Sequence, residues 1–188
     1  DDPTLRILST PDEKIELLQA LKVDHLVVVP FTREFSKLSA RDYVEQFLAG
    51  KFHPAIIAIG YNHQFGHHRD GNIELLRKLA AAHDFGVEEI SKQMVDEIEV
   101  SSTRIRIALT EGDVRTAAHQ LGHSYSLQGM VVKGNQLGRK FGYPTANIAV
   151  ADPYKLIPAD GVYAIRATLN EALLDGVASI GFRPTVNG

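Results

Sequence analysis

The sequence of 188 residues contains no cysteine, which excludes disulfide bonds and thiolate metal sites. No apolar run is long enough to span a membrane, and the opening residues, DDPTLRIL, do not form a signal peptide. Positive charge is not in excess, since 20 lysines and arginines face 23 aspartates and glutamates, which argues against a general nucleic-acid binder. The remaining composition, 44% hydrophobic and 23% charged, predicts a soluble globular protein. We expect a cytoplasmic monomer or weak homo-oligomer with small-molecule partners and neither nucleic-acid nor membrane partners.

Strand and helix patterns alternate in the first half of the chain. Short, β-branched apolar runs predict buried strands at 25–31 and 55–60, and a more polar strand region follows at 87–100. The helices between them begin at capping residues and end at glycines: Thr10 opens the first, Ser39 and Gly50 bound the second, and Asn72 and Gly86 bound the third. This alternation predicts a Rossmann-like α/β domain, a parallel sheet with helices on both faces.

The pattern changes after a short helix that Asp113 caps and Gly122 ends. Short strands at 125–133, 161–168 and 173–180, separated by turns, predict a small antiparallel β-barrel. Val162, Ala164, Val177 and Ile180 would form part of the barrel core. We therefore expect one domain at residues 1–124 and a second at 125–188, with the boundary near Ser124.

The stretch from 129 to 147, GMVVKGNQLGRKFGYPTAN, has the residue types of a phosphate-binding loop. Its glycines (Gly134, Gly138 and Gly142) allow backbone N–H groups to approach a phosphate closely. Its positive charges are Lys133, Arg139 and Lys140, and Thr145 and Asn147 add uncharged oxygens suited to hydrated Mg²⁺. The same composition is also common in mobile hairpins.

Two further segments lie where a parallel sheet binds ligands, beyond the carboxyl ends of its strands. Ser101, Ser102 and Thr103 open a helix that contains Arg106, an arrangement that suits an anion or serves only as an ordinary cap. The other segment, GYNHQFGHHRDG at 60–71, contains three histidines. Their spacing follows no established zinc pattern, so a polar active-site loop is the favoured interpretation.

These motifs, in this order, resemble one family, the bacterial bifunctional riboflavin kinases and FAD synthetases. The pattern G-x-V-V-x-G followed by G-R-x-x-G-Y-P-T-A-N is similar to the ATP and flavin site of riboflavin kinase, and VSSTRIR at 100–106 to the phosphate-binding motif of nucleotidyltransferases. GVYA at 161–164 and IGFRPT at 180–185 match further segments of the kinase. The resemblance implies ATP and Mg²⁺ as cofactors and riboflavin and FMN as substrates.

The resemblance also assigns residues to sites. The nucleotide site of the adenylyltransferase would contain Gly60, Asn62, Phe65, Gly66, Arg69, Ser102, Thr103 and Arg106. The nucleotide site of the kinase would contain Lys133, Gly134, Gly138, Arg139, Gly142, Pro144, Thr145, Asn147 and Tyr163. Thr145 and Asn147 would bind the metal, and Arg183 the flavin.

The catalytic residues of the family are expected outside this sequence. Its H-x-G-H motif would precede Asp1, and the glutamate base of the kinase would follow Gly188, so we expect the chain as written to lack both activities. A non-catalytic flavin or nucleotide sensor on the same modules is an alternative. A third reading, an RNA-binding module, is disfavoured by the acidic balance and by the lack of a basic, aromatic face.

Overall fold

The computed structural model describes residues 6–92, 94–95, 98–134, 138, 142 and 144–181. The chain forms two compact units: residues 27–94 make up one, and residues 1–26 together with 95–188 make up the other. We call these the central unit and the terminal unit. The predicted boundary near Ser124 separates two sequence patterns, whereas the two units are defined by contacts between residues. The boundary stays a prediction.

The central unit is built around a pair of parallel strands. Strand β1 (Ile56–Gly60) pairs with β2 (Gly86–Ile90), and helix α3 (Ile73–His83) connects them. The preceding helix α2 (Ala40–Asp42) continues without a break as a π-helix over Tyr43–Phe52. The buried core joins these elements through Val44, Ala49, Ile59, Leu76, Leu79 and Phe85. This arrangement confirms the predicted parallel pairing on either side of the third helix.

Helices dominate one part of the terminal unit, namely α1 (Pro11–Ala20), α4 (Ser102–Thr110) and α5 (Val114–Leu121). Very short strands β3 (Met94–Val95) and β4 (Ile98–Glu99) precede α4. The buried core of this part contains Ile105, Ala108, Leu109, Ala117 and Leu156. A segment far along the sequence, at Leu156, thus packs directly on α4 and α5.

The remaining strands of the terminal unit form two separate antiparallel pairs. Strand β5 (Gly129–Val132) pairs with β6 (Asn147–Val150), and β7 (Gly161–Leu169) with β8 (Ala172–Ile180). Among the described residues these pairs do not close into a barrel, because no hydrogen-bonded ladder joins one pair to the other. The assignment of Val162 and Val177 to a barrel core is accordingly wrong here, since 74% and 73% of their surfaces are exposed.

The capping predictions are confirmed. Thr10 and Glu13 form a reciprocal capping box, with the Thr10 N–H donating to Glu13 Oε2 at 2.9 Å. Asn72 Oδ1 accepts the N–H of Leu75, and Asp113 Oδ1 accepts the N–H of Thr116. These bonds join residues three positions apart, so the local sequence is sufficient to specify them.

Two boundaries and one strand were predicted wrongly. The second helix runs past Gly50 to Phe52 and ends at the left-handed His53, and the third ends at the left-handed Asp84, before Gly86. Residues 25–31 form no strand, and Val28 is 73% exposed. The apolar run has the composition of a buried strand, but it pairs with neither β1 nor β2.

No helix in the described part of the chain combines the length and the apolar character needed to cross a bilayer.

Candidate functional site

The strands β5 and β6 close the base of the glycine-containing loop. Val132 pairs with Asn147, so Lys133 and Gly134 leave β5 opposite the start of β6. A Cβ at Gly134 would overlap the side-chain amide of Asn147, whose nitrogen is the nearest atom and whose oxygen lies 3.5 Å from that Cβ position. Only glycine at position 134 allows this approach.

Only some of the other residues predicted for this loop lie in the part of the chain that the structure describes. Lys133, Pro144 and Thr145 are exposed, and Gly142 has a φ of +80°, which favours glycine. Gly138 is partly buried. Arg139, together with Lys140 from the loop and Arg183 from the flavin prediction, lies outside the described residues. The structure therefore brings Gly134 and Asn147 together and leaves the contribution of the arginines as a prediction.

Tyr163 has a structural partner for its polar end. Its hydroxyl donates to the carbonyl of Ala159 at 2.6 Å and lies beside Gly112, at the turn between α4 and α5. This bond explains the position of the ring without a nucleotide. The contact of Tyr163 with a nucleotide stays a prediction.

The amino-terminal end of α4 presents hydroxyl and N–H groups. Ser101 is the cap: its Oγ accepts the N–H of Arg104 at 3.3 Å, and its carbonyl accepts the N–H of Ile105. Ser102 and Thr103 are exposed in the first turn, where N–H groups have no partner within a helix. An anion at this end would meet these groups together with the positive end of the helix dipole.

Arg106, one turn further along α4, is partly buried and held by the backbone. Its Nε donates to the carbonyl of Arg6 at 2.8 Å. A guanidinium has five N–H donors in a fixed plane, so a bond through Nε sets the direction of the remaining four. The position of Arg106 thus depends on the segment that contains Arg6.

In the central unit, residues 60–71 form a tightly packed loop after β1. Phe65 and Gly71 pair as an isolated antiparallel bridge, and a Cβ at Gly66 or Gly71 would overlap Ala40 at the start of α2. Gly66 also has a φ of +77°. The glycine at 66 is therefore required twice, for its backbone conformation and for the close approach to Ala40.

The polar residues of this loop are exposed. Asn62 lies in the turn after Gly60, and Arg69 has a left-handed φ of +59°. Among the described residues no three His, Asp or Glu side chains are arranged to hold a metal ion. Phe65 instead packs its ring 5.6 Å from that of Tyr43, and burial raises the pKa of the Tyr43 hydroxyl. This loop belongs to the central unit and α4 to the terminal unit, so the predicted adenylyltransferase residues fall into two groups, one in each unit.

The sequence patterns did not predict one group of interacting residues. Lys155 Nζ lies 2.5 Å from Glu13 Oε2 and 4.3 Å from the ring centroid of Tyr125, and the side chains of Lys155 and Glu13 are 2% and 4% exposed. We call these three residues the Lys155 cluster. Glu13 is also part of the capping box of α1, and no local sequence pattern connects it with Lys155, 142 positions away.

The Tyr125 hydroxyl is held in its protonated form. It donates to the carbonyl of Leu156 at 2.7 Å. Burial raises the pKa of Tyr125, the negative charge of Glu13 adds to the rise, and the positive charge of Arg106 opposes it. The folded protein thus binds this proton more tightly than the unfolded chain does.

We expect this proton to make stability fall at alkaline pH. The contribution of Tyr125 is fully present below about pH 10, the pKa of an unperturbed tyrosine. It is lost as pH rises from there towards the raised folded pKa, because the unfolded chain releases the proton first. Urea unfolding at several pH values should show a shallower alkaline decline for Tyr125→Phe than for the unmodified protein. Identical declines would contradict this assignment.

Comparisons with known proteins agree for both parts of the chain. The sequence profile of the FAD synthetase family matches residues 1–104, and that of the riboflavin kinase family matches residues 121–188. The two matches do not overlap and together cover most of the sequence.

Three curated relatives carry the name bifunctional riboflavin kinase/FMN adenylyltransferase. The protein of Haemophilus influenzae is 38% identical over 177 residues, which cover 94% of this chain and 57% of the relative. That of Buchnera aphidicola is 37% identical over 92% of this chain and 55% of its own length, and that of Escherichia coli K12 is 35% identical over 94% and 56%. The chain thus spans a little over half the length of these relatives.

A solved structure from Streptococcus pneumoniae, described as a macrolide-efflux protein, has the same fold. It matches 100% of this chain with a TM-score of 0.86 and 31% identity, and the chain covers 60% of it.

Proposed function

The chain belongs to the bifunctional riboflavin kinase and FMN adenylyltransferase family, and we propose that the whole protein catalyses two consecutive reactions. ATP would first phosphorylate riboflavin to FMN in the module of residues 125–188. A second ATP would then adenylylate FMN to FAD in the module of residues 1–124. The observation that carries the proposal is the approach of Asn147 to Gly134, at the base of a loop whose motif matches the kinase.

In the kinase site, Asn147 and Thr145 would hold Mg²⁺ with their side-chain oxygens. Amide and hydroxyl oxygens are ligands that this cation accepts, and the amide of Asn147 lies beside Gly134 at the base of the loop. Bound Mg²⁺ would neutralise the charge of the ATP phosphates. The chain itself would position the γ-phosphate, with Lys133 and backbone N–H groups near Gly134 and Gly142 covering it.

In the adenylyltransferase site, the start of α4 would bind the triphosphate. Ser102 and Thr103 offer hydroxyl and N–H groups there, and Arg106 adds a positive charge one turn later. The loop at 60–71, with Asn62 exposed after Gly60, would contact ATP or FMN at its own end of the sheet. Catalysis of this kind depends on positioning and charge neutralisation.

The finer architecture is part of the proposal. In the whole protein β1 and β2 would belong to a larger Rossmann-like sheet, and strands β5 to β8 to a closed barrel. The family profiles support this arrangement, while the described strands form separate pairs, parallel for β1 with β2 and antiparallel for β5 with β6 and β7 with β8. Both regions of the chain match flavin enzymes, which favours this function over the efflux named in the description of the pneumococcal structure. A cytoplasmic location and weak or absent self-association stay predictions.

The test is the conversion of riboflavin by the full-length protein. Riboflavin, ATP and MgCl₂ should give FMN and then FAD, separated by reversed-phase chromatography. Omission of MgCl₂ should stop both steps. Formation of neither product would refute the proposal, and binding of ATP and riboflavin without conversion would support the sensor in its place.

A further inference from the structure

The Lys155 cluster fastens the beginning of the described chain to a segment near residue 155. Lys155 Nζ donates to the carbonyl of Leu8 at 2.7 Å as well as to Glu13 Oε2. Ile7 pairs with Lys155 in a parallel bridge: the Ile7 N–H donates to the Tyr154 carbonyl at 2.8 Å, and the Leu156 N–H to the Ile7 carbonyl at 3.0 Å. Residues 7 and 8 are therefore fixed through both backbone and side chain.

Arg106 depends on this same segment. Its Nε donates to the carbonyl of Arg6, the residue immediately before the bridge. Leu156, next to Lys155, is 4% exposed and packs in the core with Ile105 and Leu109 of α4. The cluster thus bonds the carbonyl of Leu8, two residues after Arg6, and the carbonyl of Leu156, whose side chain packs against α4.

Stability alone is a weak explanation for a buried ion pair. Removing two charges from water costs free energy that their attraction only partly offsets, and apolar residues of similar volume are often at least as stable. A directional role is consistent with the bonds that Lys155 Nζ makes to both Glu13 Oε2 and the Leu8 carbonyl, because together they fix one geometry of the segment.

We propose that Lys155 is a positioning residue for Arg106 in adenylyl transfer. The inference rests on the proposed function, because it takes Arg106 as a ligand of the ATP phosphates. Lys155 lies in the region that matches riboflavin kinase, and Arg6 in the region that matches FAD synthetase. One module therefore supplies the residue that orients the anion-binding arginine of the other.

The decisive variant removes both charges and keeps the volume. Glu13→Leu combined with Lys155→Met in the full-length protein should fold with a Tm close to that of the unmodified protein. Arg106 should nevertheless lose its fixed direction. In ¹⁵N-arginine spectra, with the Arg106 signal assigned through Arg106→Lys, exchange of its Nε–H with water should become at least about tenfold faster.

Nucleotide binding gives the second measurement. The measurement is made in an Asn147→Ala background, which removes the predicted kinase ligand. There the double variant, Glu13→Leu with Lys155→Met, should lower the affinity for ATP roughly tenfold, which corresponds to the loss of one hydrogen bond to a charged group. Arg106→Ala added to the double variant should cause little further loss, because the two changes act through one contact. The matched control is Arg166→Met with Asp175→Leu, which removes an exposed ion pair from β7 and β8 and should change neither measurement.

Unchanged protection of the Arg106 Nε–H in the folded double variant would overturn the proposal, as would fully additive losses with Arg106→Ala. If the double variant fails to fold, Tyr125→Phe provides the test. This substitution removes the hydrogen bond to the Leu156 carbonyl, and it should measurably accelerate the exchange of the Arg106 Nε–H with water. Failure of the proposed function is a separate result, since it appears as absence of FAD formation in the unmodified protein, whatever the exchange measurements show.

Discussion

Replacing Asn147 by alanine should abolish FMN formation by the full-length protein while adenylylation of supplied FMN continues. Asn147 begins β6, and its amide packs where Gly134 has no side chain. Alanine at 147 removes the oxygen that would hold Mg²⁺ and, through the metal, the γ-phosphate. Loss of one preorganised ligand of a transferring group costs at least about a hundredfold in rate.

The two half-reactions are measured separately, with riboflavin or FMN as the starting flavin. Asn62→Ala is the matched control, because it removes an exposed amide from the loop after β1 and should weaken adenylylation alone. Gly134→Ala should act like Asn147→Ala, since its Cβ would displace the Asn147 amide. Equal loss of both activities in Asn147→Ala would contradict the assignment of the two sites to two modules.

Gly66→Ala should destabilise the central unit by about 3 kcal/mol, the sum of two costs. A left-handed conformation costs an alanine roughly 1–2 kcal/mol, and the φ of Gly66 is +77°. The new Cβ would also overlap the backbone of Ala40 at the start of α2, and overpacking of this kind typically costs about 1–3 kcal/mol. Backbone at a helix start has little freedom to move aside.

Two other glycines separate these costs. Gly142 has a φ of +80° but nothing within 4 Å of its Cβ position, so Gly142→Ala should show only the conformational cost of roughly 1 kcal/mol. Gly60 has neither a left-handed φ nor a neighbour within 4 Å, so Gly60→Ala should be nearly neutral. Chemical denaturation of the three variants gives the comparison. A loss for Gly66→Ala no larger than that for Gly142→Ala would show that Ala40 moves aside.

Features that depend on neighbours in sequence were predictable. The caps at Thr10, Asn72 and Asp113 were identified because each side chain bonds an N–H three residues away. The parallel pairing of 56–60 with 86–90 followed from the helix between two strand patterns. The family resemblance, carried by two motifs in a fixed order, was confirmed by the profile matches.

Features that depend on distant partners were not predictable. The apolar run at 25–31 has strand composition, but strand formation requires a hydrogen-bonding neighbour that the sequence pattern does not name. The barrel expected from the second half requires pairing between β5–β6 and β7–β8, which is absent from the described residues. The Glu13–Lys155 pair was missed because neither residue is unusual in its own surroundings.

The pairing of Ile7 with Lys155 has a consequence for the order of folding. Leu8 and Lys155 are 147 residues apart, so their contact closes a loop that contains most of the chain. Such a closure loses more chain entropy than any helix or hairpin here, and topologies with distant contacts fold slowly. The first described residues should therefore dock late, after α4 and α5 have formed the surface that receives Leu156. A nascent chain that ends before residue 155 would leave Glu13 exposed to water and the segment of Arg6 without its partner strand. The pairing of residues 154–156 with Ile7 is therefore the step that fixes this segment.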